Sequence, residues 1–190
     1  MGMTLSKKVT VAALLAGLAV LLGYVEYLIP VVPPIAGIKL GLGNIAVLMA
    51  LRLCGSETTA AGVMLTKILI SSALFSGMGG LPYSLAGGAT SFFIMAVLCR
   101  RYPVTVGVSK TGKEASRLSA AGVSAAGGAV HMISQTVVAA WMTATWGVLS
   151  LLPILLAVGT LTGLINGVIV NMMECRVGHF FYKNPFIKRK

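Results

Sequence analysis

Long apolar runs recur along the chain, each closed by a short polar strip, a glycine cluster or a proline. A helix that crosses a bilayer needs about 20 mainly apolar residues. On that measure the pattern predicts six helices, at about 9–29, 38–53, 58–75, 83–98, 118–146 and 149–173. The first stops at Pro30, the second is short, and the glycine-rich break from Ser76 to Pro82 precedes the fourth. A hydrophilic segment, 99–117, divides the fourth run from the fifth, and a basic tail occupies 174–190. Lys7 and Lys8 stand before the first run as they would before a signal peptide. That run outlasts the roughly 7–15 apolar residues of a signal core, and five more follow, so it is read as a retained first helix. The expectation is an all-α polytopic membrane protein, a six-transmembrane-helix bundle forming a single integral membrane domain over 1–190.

Composition strengthens this reading. Of 190 residues 57% are hydrophobic and 10% charged, and the mean hydropathy is +0.93. Soluble domains carry roughly 25% charged residues, so this chain cannot cover a water-facing surface. It has four glutamates (Glu26, Glu57, Glu114 and Glu174), no aspartate, and fifteen Lys and Arg, for a net charge of +11. Basicity of that size suits nucleic acid only when it covers a polar face, and here it is confined to strips between apolar runs. With the N-terminus inside, the strips 1–8, 52–57, 99–117 and 174–190 hold thirteen of the fifteen cations, and the outer connections hold no charge. The positive-inside rule then puts both termini in the cytoplasm, with the chain in the plasma membrane and no nucleic-acid partner. Cys54, Cys99 and Cys175 show no paired spacing and each neighbours an arginine, so they read as reduced, structural thiols.

The two remaining cations, Lys39 and Lys67, carry the chemistry. Lys67 lies in the middle of the third run, roughly 13 Å from its inner end at 1.5 Å per residue. A cation at that depth costs about 2.5–3.5 kcal/mol on insertion scales, so it must face the bundle interior or a wet cavity. It serves either as a structural lysine bonded to carbonyls or as a contact to an anionic or polar ligand. His131 and Gln135 share one face of the fifth helix, four residues apart and at the depth of Lys67. They are either a packing pair or part of a pocket, and the small residues Ser124, Gly127 and Gly128 nearby would admit a helix or a ligand. Glu26 stands between Tyr24 and Tyr27, and Lys39 opens the second helix after the loop VVPPIAG (31–37). An ion pair between them at the outer mouth is one expectation, an interfacial belt the other. Asn44 and Asn166 carry a weaker signal, since amides inside bundles often only bridge helices. Gly159, Gly163 and Gly167 form a GxxxGxxxG helix-contact pattern, and Ala12 with Ala16 is a small-xxx-small pair on the first helix. The string GVSKTGKE (107–114) imitates a phosphate-cradling loop, but Glu114 stands where a magnesium-binding hydroxyl is required and no strand precedes it. No ATP site, cofactor or metal centre is therefore expected.

Four ordered motifs, GIKLGLGN (37–44), YSLAGGATS (83–91), GVSAAGGAVHMISQ (122–135) and GTLTGLINGV (159–168), carry a family resemblance. From about Val9 to Val170 the chain resembles the small membrane proteins called heptaprenyl diphosphate synthase component I, or the Gx transporter family. Members tend to have arginine where this chain has Lys67, which keeps the charge and loses the planar fork for bidentate anion recognition. That family in turn looks like the substrate-binding S components of energy-coupling factor (ECF) transporters. The resemblance implies a six-helix fold, Ala12 and Ala16 as docking positions for a coupling (T) subunit, and residues 31–37 over a ligand site in the outer half. It implies a pocket drawn from Glu26, Lys39, Asn44, Lys67, Tyr83, His131 and Gln135. The enzyme name meets a chemical objection. Prenyl-chain synthesis requires paired aspartates to hold magnesium against a diphosphate, and this chain has none. The expected function is a small-molecule-binding membrane subunit for uptake, energised by separate coupling and ATPase subunits. The alternative is a non-catalytic accessory protein of an isoprenoid, quinone or flavin-linked electron-transfer system. A stand-alone carrier has less to recommend it, because no inverted repeat and no acidic residue near the midplane is visible.

Overall fold

The structure, a computed structural model, describes residues 5–29, 39–101 and 119–182. Six α-helices follow one another: α1 (Leu5–Leu28), α2 (Asn44–Cys54), α3 (Glu57–Ser71), α4 (Leu81–Arg101), α5 (Ala120–Met142) and α6 (Leu152–Tyr182). Their ends follow from local chemistry. Gly55, at φ 56°, takes the left-handed conformation that closes α2. Ser56 caps α3 by accepting from the Thr59 N–H, with Glu57 in the first turn against the helix dipole. Ser119 caps α5 in the same way through the Gly122 N–H. Pro82 and Pro153 stand in the first turns of α4 and α6, where a missing N–H costs nothing.

Five stretches are long and apolar enough to cross a membrane, α1, α3 with the turn that carries it on to Ser76, α4, α5 and α6, and their outward faces carry large apolar side chains such as Leu14, Leu69, Phe93, Ile154 and Leu161. The exception is α2, which has 11 residues. At 1.5 Å per residue it spans about 16 Å, half of a hydrocarbon core of roughly 30 Å. Nine of its residues are buried, from Asn44 through Leu51 and Cys54, so it is the bundle's central element rather than a lipid-facing one. Leu48, Val47 and Met49 centre the larger apolar core together with Leu15, Val63, Ile68 and Met95. A second core gathers Tyr83, Met132, Ala139, Ala140, Val148 and Leu155.

α5 and α6 approach each other backbone to backbone. At Gly128, Gly159, Gly163 and Gly167 a Cβ would collide with the backbone or the nearest side-chain atoms of the facing helix. The glycine spacing on α6 is therefore used within the chain, against Ala120, Ala121, Ser124, Ala125 and Gly128 of α5. Gly127 faces Met95 and Ser91 of α4. The small residues beside His131 thus admit helices.

Several boundaries differ from the sequence expectation. The second helix begins at Asn44 rather than 38, because Gly41 at φ 82° turns the backbone and Leu42 starts the first turn. The third is α-helical only to Ser71; Ser72–Ser76 is a π-helical turn leading to Gly77 at φ 66°. α4 runs to Arg101, into the predicted hydrophilic segment, and α5 stops at Met142, with a 3₁₀ segment from Trp146 to Leu151. α6 continues through Tyr182, so the predicted basic tail begins helical. The loop 31–37, the phosphate-loop imitation at 107–114 and most of the segment 99–117 lie outside the described residues.

Arg100 closes a bidentate pair on Glu57, with Nε–Oε1 at 3.1 Å and Nη2–Oε2 at 2.9 Å. Both side chains are exposed, so the pair contributes at most about 1 kcal/mol, but it fixes the start of α3 beside the end of α4. Lys8 borders the same groove as Ser56 and Thr58, and Gly167 of α6 meets Ala120 at the start of α5. The start of α1 and the later part of α6 therefore lie on the side of the bundle where Glu57 pairs with Arg100.

The α5–α6 seam generates a stability prediction. Gly163→Ala, whose Cβ would strike the Ser124 carbonyl, should cost about 1–3 kcal/mol. Gly62→Ala, with open space at that position, should be neutral or slightly stabilising. Thermal unfolding of the two variants in detergent reads the difference, and equal behaviour would refute a tight seam.

Candidate functional site: a polar cluster at the head of the half-length helix

A helix that begins half-way through a bilayer exposes its first N–H groups where no water can satisfy them. Here α1 supplies the partner. Glu26 Oε1 accepts from the Gly43 N–H at 3.0 Å, so a carboxylate from another helix caps α2 and sits at the positive end of its dipole. Glu26 is 3% exposed, while its neighbours Tyr24 and Tyr27 turn outward and lie against Phe75. The tyrosines face outward and the glutamate belongs to the interior.

Burying that carboxylate calls for a cation. Lys67, from the middle of α3, brings its Nζ to 3.8 Å from Glu26 Oε2, with both side chains almost fully buried. The ion pair expected between Glu26 and Lys39 is thus replaced by Glu26–Lys67. The reason is backbone geometry: the turn at Gly41 leaves Lys39 outside α2 and directs its ammonium to Ser84 Oγ of α4, 3.2 Å away. The Lys39 backbone N–H donates to Gln135 Oε1 at 2.9 Å, which ties the turn to α5.

That bond settles the state of His131. Because Gln135 Oε1 faces an N–H, the amide nitrogen faces the ring, 3.0 Å from His131 Nε2, and donates to it. Nε2 is bare, the imidazole is neutral, and its proton lies on Nδ1, which is turned toward the Gly87 backbone without a full hydrogen bond. Asn44 donates to Ser91 Oγ at 3.2 Å, and Asn166 of α6 donates to the Gly41 carbonyl at 3.1 Å. Six α-helices and one turn thereby meet in a single buried network.

The glycines of the first two motifs have a use here. A Cβ at Gly43 would meet the Lys67 ammonium, and one at Gly87 would meet His131 and Gln135. These glycines let long polar side chains lie directly on backbone.

The cluster encloses about 10 Å³ of free space, the volume of one water, lined by Glu26, Lys39, Asn44, Lys67, His131 and Gln135, with Ser71, Ser84 and the apolar Met64 and Ile68. Six of the seven predicted pocket residues meet there. Tyr83 does not; it packs in the second apolar core, because its neighbour Ser84 takes the inward position on α4. Sequence reading missed Ser84 and Ser71. Ser71 lies one helical turn beyond Lys67 on the same face, a spacing that could have found it; Ser84 is an ordinary small residue with no such signal. The Oγ of Ser71 and Oε2 of Glu26 are buried without a hydrogen-bond partner.

A larger hollow lies elsewhere. A lateral groove of about 1020 Å³ runs between α1 and α3, floored by small residues including Ala12, Ala13, Ala16, Gly17 and Gly62. The two alanines singled out in the first helix line it, half-buried.

The fold and site define a multi-pass helical membrane protein with a charged, hydrogen-bonded cluster enclosed in its bundle. Residues 15–173 match the family model for heptaprenyl diphosphate synthase component I, and the chain belongs to that family. No curated protein and no solved structure gives a match.

Removing one member of the buried pair leaves the other uncompensated. Lys67→Met should destabilise the protein by about 3–5 kcal/mol, and Glu26→Gln with Lys67→Met should recover much of that loss. Unfolding of both variants in lipid nanodiscs measures it; a single variant as stable as the parent would mean that Glu26 is not buried in the membrane-embedded protein.

Proposed function

We propose that the chain is a membrane-embedded substrate-binding subunit, similar in role to an ECF S component, for uptake of a small molecule driven by separate coupling and ATPase subunits. One observation carries this reading: ionic and polar side chains from α1, α3, α4 and α5 converge on a common interior space in a bilayer-spanning bundle. Polar residues at such depth are expensive and mark ligand or ion sites. The half-length α2, with its N-terminus directed at the space, is the helix end that membrane carriers use to face polar cargo. The groove along Ala12 and Ala16 is the docking surface this reading assigns to the coupling subunit, since small residues allow close helix approach. The chain has no intrinsic enzymatic role in this proposal, and its ends lie on the cytoplasmic side of a bacterial plasma membrane, where its basic strips belong.

The family description favours a second reading, a non-catalytic membrane component that accompanies a prenyl diphosphate synthase. An aspartate-free chain would supply anchoring or product handling beside a catalytic partner.

Affinity purification in mild detergent, followed by mass spectrometry of bound small molecules and proteins, separates the two. The uptake reading expects coupling and ATPase subunits and a retained ligand; the accessory reading expects a synthase and no transported compound. Uptake of the retained compound by cells should fall at least about tenfold for Lys67→Ala and for His131→Ala at matched membrane levels, the loss of one charged or neutral hydrogen bond. Unchanged uptake in both would remove the pocket assignment.

A further inference from the structure

The charges enclosed around the space at the head of α2 do not cancel. Lys39 and Lys67 bring two positive charges and Glu26 brings one negative charge. His131 adds none, because its Nε2 accepts from Gln135. From α2, α4 and α6, no other described charged side chain lines the space. Glu57 and Arg100 lie exposed at the far end of α3 and α4. The cluster therefore holds a surplus of one positive charge in a region where an uncompensated charge is costly.

Its hydrogen-bonding capacity is unbalanced in the same sense. Lys67 has three N–H donors and one carboxylate oxygen at 3.8 Å, beyond hydrogen-bond distance. Lys39 spends one of three donors on Ser84. On the other side, Glu26 Oε2 and Ser71 Oγ are buried and unpartnered, Glu26 at 3% and Ser71 at 2% exposure. A group that accepts from the two ammoniums and donates to Glu26 Oε2 answers the charged members of this set.

Building on the ligand-site reading above, we infer that the site selects a small monoanion, a carboxylate that also carries a hydrogen-bond donor. One negative charge neutralises the cluster; a neutral amide leaves the surplus, and a dianion reverses it. The enclosed space of about 10 Å³ holds one water, so a carboxylate enters only by displacing the side chains that line it, which favours the smallest members of the class.

The test is thermal unfolding of the full chain in lipid nanodiscs with formate, acetate, glycolate and lactate. Comparators are the matching amides, the dianion malonate, and sodium chloride at equal ionic strength. A ligand that binds only the folded protein raises its unfolding temperature in proportion to its affinity. At least one hydroxy acid should stabilise the parent protein above its amide, malonate and chloride. Lys39→Met brings the surplus to zero while leaving the Glu26–Lys67 pair in place, and should weaken acid binding roughly 30-fold and abolish the preference over the amide. Glu26→Gln raises the surplus to two and should move the preference to malonate; if it does not fold, Lys39→Met decides alone. An amide as effective as its acid, no response to any acid, or an unaltered preference in Lys39→Met overturns the inference. A protein that retains coupling subunits yet prefers amides would keep the uptake reading and lose the charge rule. One that binds a hydroxy acid but no coupling subunit would do the reverse.

Discussion

The buried carboxylate of Glu26 is the constraint from which the upper half of this bundle follows. A helix of eleven residues cannot cross the bilayer, so its first turn opens inside, where an unmet N–H is costly. Glu26 meets the Gly43 N–H and in doing so imports a negative charge. The charge requires Lys67, and the turn that starts α2 positions Lys39 and its backbone bond to Gln135. Each polar residue in the cluster answers a demand made by another, which is how so many can share a bilayer interior.

Glycine serves two separate purposes in this arrangement. Along α5 and α6 it lets backbones touch, so that dispersion contacts hold a pair of helices that lipid tails would otherwise solvate equally well. At Gly43 and Gly87 it lets Lys67, His131 and Gln135 lie against main chain. The same residue type thus builds the rigid seam and makes room for the polar cluster. α1 borders the polar space and the groove alike: its Glu26 end closes the first, and its Ala12–Ala16 face lines the second against α3. Motion of that one helix would be felt at both places.

Hydrophobic run length, the distribution of Lys and Arg, and the absence of aspartate were enough to obtain a six-helix membrane bundle and to single out Lys39, Lys67, His131, Gln135, Asn44 and Glu26. Such residues are legible because a bilayer makes each polar side chain an exception that needs a reason. The four motifs also led to the family that the chain belongs to. Ser71 and Ser84 were not legible, since a serine costs little at a helix interface and leaves no trace in hydropathy. Tyr83 and Ser84 could not be told apart as inward-facing positions until α4 had a rotation.

What the sequence determined by itself was which residues are inside: a chain this apolar and this sparsely charged has few places to put a lysine. What the tertiary structure alone decided was who meets whom. The pairing of Glu26 with Lys67 rather than Lys39 depends on a single left-handed turn at Gly41 that shortens α2 from its beginning. The neutral state of His131 depends on which end of the Gln135 amide faces the Lys39 backbone. Both are relations between segments far apart in sequence, where no local periodicity can encode them.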